Sequence, residues 1–152
     1  MWAVLSVVAV GLFRVSTNVA IWGALIAVGL HWLSSLIHQL GHAWAAGRTG
    51  HPMIGLQWWG LLSTSLYPPD EEPLPARIHL RRALGGPTFS LMLTLIAGLF
   101  ALIARSADRI VQLVALFFWL DNLFVFTLQA FVPLDFNDGG TLWYWWHRRS
   151  RD

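Results

Sequence analysis

From Val15 to Gly47 the chain carries no Asp, Glu, Lys or Arg, and from Ala83 to Ala104 it again carries none. A helix needs roughly 20 residues to cross a hydrocarbon core of about 30 Å, so either run is long enough. A third run, Ile110 to Leu134, is interrupted only by Asp121. Charged residues make up 12% of the 152, about half the roughly 25% of an ordinary soluble domain, and the mean hydropathy is +0.55. The expected fold is an all-α membrane protein: one domain over residues 1–152, a polytopic bundle of three to four transmembrane helices.

There is no cysteine, which excludes disulfides and thiolate metal sites. The pI of about 9.9 does not indicate nucleic acid. All ten basic residues are Arg, and most flank the apolar runs, where charge at a membrane border belongs. The apolar stretch 1–13 has no basic region before it and no small-residue cleavage site after it, so it reads as a retained segment, a short span or an interfacial one.

After the His-bearing run at 15–47 comes the polar region 48–82. Within it, 54–66 is rich in aliphatic, aromatic and hydroxyl residues, with Gly55 and Gly60 inside, and predicts a short β-like hairpin. The segment "PPDEEPLP", with four prolines in eight residues, must be loop. "ARIHLRRALGGP" leads into a span at 83–104, with Pro87 where a helix start tolerates proline. A further span at 110–132 ends in "PLDFNDGG", and 133–152 holds that turn and an interfacial C-terminal helix, "TLWYWWHRR".

One crossing separates the ends of the first and last spans, so those spans run parallel and emerge on one side. That side carries Arg48, Arg77, Arg81, Arg82, Arg148, Arg149 and Arg151, against Arg14, Arg105 and Arg109 on the other. The positive-inside rule makes it cytoplasmic.

Near the end of the first run stands "LIHQLGHAWA". His38 and His42 are four apart and share a helix face, so both can reach one ion. Zinc accepts imidazole nitrogen readily and needs a third protein ligand. Asp138 is the first candidate because the parity of the spans delivers it to the same side; Asp135 is a rival, then His79 and His31. His31 is about 10 Å up the helix and is better read as a supporting or pore residue. Taken singly, each feature has a plain structural reading: chance for the His pair, a turn or cap for "NDGG", close helix packing for Gly85-Gly86-Pro87.

Together, "HQLGH" near a helix end, "GGPTFS" opening the next span and "PLDFNDGG" closing the last resemble the site-2 protease family of intramembrane zinc metalloproteases, across about residues 19–146. The family pattern is H-E-x-x-H, a G-P motif and N-x-x-P-x-x-x-x-D-G. The resemblance implies His38, His42 and Asp138 as Zn²⁺ ligands and a transmembrane or membrane-associated protein as substrate. It also implies that the 54–66 segment, through Gln57, Trp58 and Trp59, receives an extended peptide by strand addition. Two positions depart from the pattern. Ala130 stands where the family has Asn, leaving Gln129, Asn122 or Asn137 to help position substrate. Gln39 stands where the family has the general-base Glu. An amide can hydrogen-bond the attacking water but cannot take its proton. The only glutamates, Glu71 and Glu72, lie in the proline-rich loop.

The expected function is therefore intramembrane peptide-bond hydrolysis by a zinc enzyme whose base position holds an amide, and whose activity is correspondingly impaired. A zinc-binding membrane protein that holds helices without cutting them is the main rival. A haem carrier using His31, His38 and His42 is a third class, and it leaves the Asp-Gly-Gly turn unexplained.

Overall fold

The computed structural model describes residues 2–13 and 16–149. Arg14, Val15 and Arg151, which enter the charge asymmetry and the limit of the first span, lie outside them. Helix α1 (Trp2–Phe13) packs beside the long α2 (Thr17–Arg48), with Ser6 Oγ donating to the Ala20 carbonyl at 3.4 Å. Twelve residues rise only about 18 Å, too little for a full crossing. Strands β1 (Gly55–Trp59) and β2 (Leu62–Leu66) pair antiparallel, Gln57 opposite Thr64 and Trp59 opposite Leu62. The two-residue connection, Gly60-Leu61, needs a left-handed residue, and Gly60 supplies it at φ 66°. The expected hairpin is therefore present.

Helix α3 (Ala76–Ile103) starts well before the expected limit at residue 83. Pro75 stands at its N-cap, and the arginines 77, 81 and 82 lie inside it rather than in a loop. Arg82 is 4% exposed because its guanidinium bonds both oxygens of Glu71, donates to the His51 carbonyl and lies over the Tyr67 ring. A charge matched that fully need not mark a border. Pro87 consequently falls in the interior of α3, not at a helix start.

A short 3-10 turn (Ala104–Ser106) leads to α4 (Arg109–Leu120), which continues as a π-helix over Asp121–Thr127 and a 3-10 turn over Leu128–Phe131. The last helix, α5, is Asp138–Trp146, three residues earlier than the expected start at Thr141. Asn137 caps it, accepting from Gly140 N at 2.9 Å.

Among the described residues three helical stretches, Thr17–Arg48, Ala76–Ser106 and Arg109–Phe131, are long and apolar enough to cross a membrane. Their packing is inverted relative to a soluble bundle. The largest fully buried side chains are Asn122, Ser34, Ser35 and Ser90, whereas Trp22, Leu25, Leu95, Ile96 and Leu99 face outward. Small residues let backbones approach. A Cβ on Gly41 would strike the Gly85 carbonyl, and one on Gly85 the Gly41 carbonyl, so α2 and α3 cross at these two glycines. That crossing brings "HQLGH" and "GGP" together.

Candidate metal centre

His38 and His42 project from the same face of α2 toward α3, and both are buried. Their Nε2 atoms lie 3.1 Å apart. Asp138, the first residue of α5, completes the group: Oδ2 is 3.0 Å from His38 Nε2 and Oδ1 is 3.2 Å from His42 Nε2. Zinc bonds of about 2.0–2.1 Å at tetrahedral angles put ligand atoms roughly 3.3 Å apart, so these spacings suit one ion. His38, His42 and Asp138 form the group able to hold a metal among the described residues.

The surroundings orient these three side chains. His42 Nδ1 donates to the Arg82 carbonyl at 2.8 Å, which turns Nε2 toward Asp138 and His38. His38 Nδ1 lies 2.9 Å from Ser90 Oγ. Gln129 Nε2 donates to Asp138 Oδ2 at 2.6 Å, while Gln129 Oε1 is buried without a hydrogen-bond partner. Burial opposes ionisation of Asp138, but hydrogen bonds from His38 and His42 outweigh it and hold the carboxyl well below the usual carboxylate range. Gly86 provides the room: a Cβ there would run into the Nε2 atoms of both histidines.

The turn behind Asp138 is equally confined. A Cβ on Gly139 would meet the Val132 carbonyl, and one on Gly140 the Leu134 carbonyl. Asn137 stitches the same turn, its Oδ1 accepting from Leu134 N at 3.3 Å and its Nδ2 donating to the Gln129 carbonyl at 3.1 Å. Both ends of its amide are thus engaged in shaping the turn. The other ligand candidates lie elsewhere: Asp135 is exposed, His79 stacks on Trp145 at 3.9 Å, and His31 pairs with Asp121 at 3.1 Å.

Gln39 is 4% exposed and its amide faces the hairpin. Nε2 donates to Ser63 O at 3.2 Å and to Ser63 Oγ at 3.0 Å, and Oε1 accepts from Ser65 Oγ at 2.7 Å. The strand against α2 is thus β2. Gln57, Trp58 and Trp59 lie on β1 and are exposed. Trp58 joins Trp32, Leu33 and Leu36 around an open apolar groove of about 440 Å³.

The sequence alone does not mark Ser90, the Arg82 carbonyl or the Gln129–Asp138 bond as parts of the site. The "GGPTFS" motif held Gly86 and Ser90 in plain view, since Ser90 is four residues beyond Gly86 and shares its helix face.

Comparison with protein-family models, with curated proteins and with solved structures finds no match.

Proposed function

We propose that the chain is a membrane-embedded zinc metalloprotease core of the site-2 type, with its general-base position filled by Gln39. The observation that carries the reading is the convergence of His38, His42 and Asp138 from two elements, with Nδ1 of each histidine held by a neighbour. Insertion in a bilayer is supported by three apolar helices whose large side chains face outward over a small, polar interior. The excess of arginines at the metal end in the sequence supports a cytoplasmic orientation for it.

Zinc held there would polarise a peptide carbonyl and ease deprotonation of water. The chain's own residues supply the rest. His42 and His38 are oriented through Nδ1, and Gln129 steadies the Asp138 carboxylate. The hairpin offers strand edges to an extended substrate, with Trp58 beside the apolar groove for its side chains. Gln39 cannot take a proton, so this chain binds zinc and substrate and cuts slowly. Metal analysis of the purified protein, beside a Gln39→Glu variant assayed on membrane peptides, tests the reading. Full zinc loading with no cleavage by Gln39→Glu would favour the second reading, a non-cutting membrane-helix binder, to which the occupied Gln39 amide also lends support.

A further inference from the structure

Strand β2 lies along α2 in a matched register. His31 Nε2 lies 3.1 Å from the Leu61 carbonyl, Ser35 Oγ lies 2.8 Å from Ser63 Oγ, and Gln39 bonds Ser63 and Ser65. One helical step of four residues rises about 6.0 Å, and two strand residues advance roughly 6.6 Å. The rungs 31, 35 and 39 therefore keep pace with 61, 63 and 65, with helix and strand running in the same direction. Trp32 Nε1 adds a bond to the Gly60 carbonyl at 3.3 Å. At the upper rung His31 faces two acceptors, the Asp121 carboxylate and the Leu61 carbonyl. Both bonds form together only with a proton on each ring nitrogen.

At the lower rung the chemistry discriminates between side chains. Ser63 presents a carbonyl, which needs a donor, and Ser65 presents a hydroxyl that donates to Oε1. An amide satisfies both, whereas a carboxylate would set its oxygen against the Ser63 carbonyl. An unpaired strand carbonyl in apolar surroundings is costly, and the Gln39 amide bonds it as a neighbouring strand would.

We infer that Gln39 is the clasp of a closing device: its amide fills the β2 edge at Ser63–Ser65 and holds the β1–β2 hairpin shut against α2, immediately beside the metal ligands. An extended peptide reaches that edge only by displacing the Gln39 amide. The role of position 39 in this chain is then positional, whether or not metal is bound or peptides are cut.

The absence of cysteine makes the test direct. The pair Ser35→Cys and Ser63→Cys is introduced in the full chain in bilayer vesicles, and the rate of disulfide formation under a fixed mild oxidant is read. The Gln39 bonds to the Ser63 carbonyl and to Ser65 survive these changes. The disulfide should form readily with Gln39 present. It should form roughly tenfold more slowly with Gln39→Met or Gln39→Glu, the consequence of losing one or two net hydrogen bonds. Ser65→Ala, which leaves residue 39 untouched, should slow it less, and it serves as the independent variant if a residue-39 change prevents folding. Failure of the disulfide to form with Gln39 present would overturn the inference, and so would equal rates in all backgrounds.

Discussion

Gly86 and His42 meet so closely that no side chain fits between them: a Cβ on the glycine would strike Nε2 of the histidine, and of His38 as well. The second glycine of "GGP" is thus the floor of the group that could hold a metal ion, and the motif's first glycine, Gly85, crosses Gly41 of α2.

Gly86→Ala should accordingly cost metal binding before it costs the fold. Overpacking of this kind destabilises by about 1–3 kcal/mol, and displaced imidazoles can no longer share an ion. Isothermal titration with zinc should show affinity down at least roughly tenfold while far-ultraviolet circular dichroism keeps its helical signal. Unchanged affinity would mean that the histidines have slack the distances do not suggest.

Ser90→Ala removes the partner of His38 Nδ1. Loss of a group that orients a ligating histidine typically lowers metal affinity about 10–100-fold. Competition with a chelator of known affinity should report a loss in that range. Thr88→Ala, whose hydroxyl bonds the Leu84 carbonyl of its own helix at 2.7 Å, should have little effect on the metal.

Gln39→Glu should raise peptide cleavage by roughly 10²–10⁴-fold, the usual contribution of a positioned general base. Zinc content should stay the same, because residue 39 is outside the group that could hold the ion. The assay is hydrolysis of a membrane-spanning peptide, followed by mass spectrometry of the cut ends. A gain in cleavage together with a changed zinc content would show that residue 39 acts on the metal itself.

Acid should free the 51–75 segment from α3. The Arg82 hydrogen bonds hold the Glu71 carboxyl below its usual range, with the Arg82 charge adding to them. A carboxyl depressed in the folded state stabilises above its unfolded pKa, about 4.3, and that contribution fades as pH falls through the lower folded value. Limited proteolysis should therefore cut the segment faster as pH drops below about 4.3. Glu71→Gln should cut fast at neutral pH and lose most of this acid response. The same pH profile for both would place the response on other groups.

Much of this arrangement was legible in the sequence, and the unread parts share a cause. Apolar runs with at most one charge announce the three long helices, because length and hydropathy are local properties. The four-residue step from His38 to His42 is local too, and counting crossings delivered Asp138. Helix α3 starts earlier than the sequence suggests because Arg77, Arg81 and Arg82 look like a border. Only the fold reveals that Arg82 finds Glu71 and the His51 carbonyl across a loop. The π-helix at Asp121–Thr127 had no periodic signal, although the buried Asp121 and Asn122 within it mark where α4 gives up regular pitch. The partners of Gln39 are two ordinary serines, some 24 and 26 residues away, and nothing in the composition of "LSTSL" sets them apart.

Metal content is the most direct measure of the central claim, that His38, His42 and Asp138 hold one zinc ion. Protein purified from membranes without chelator, then analysed by inductively coupled plasma mass spectrometry, should carry about one zinc per chain. Each of His38→Ala, His42→Ala and Asp138→Ala should lower it severalfold, while Asp135→Ala should leave it unchanged. Full zinc retained by Asp138→Ala, with loss in Asp135→Ala, would contradict the site described.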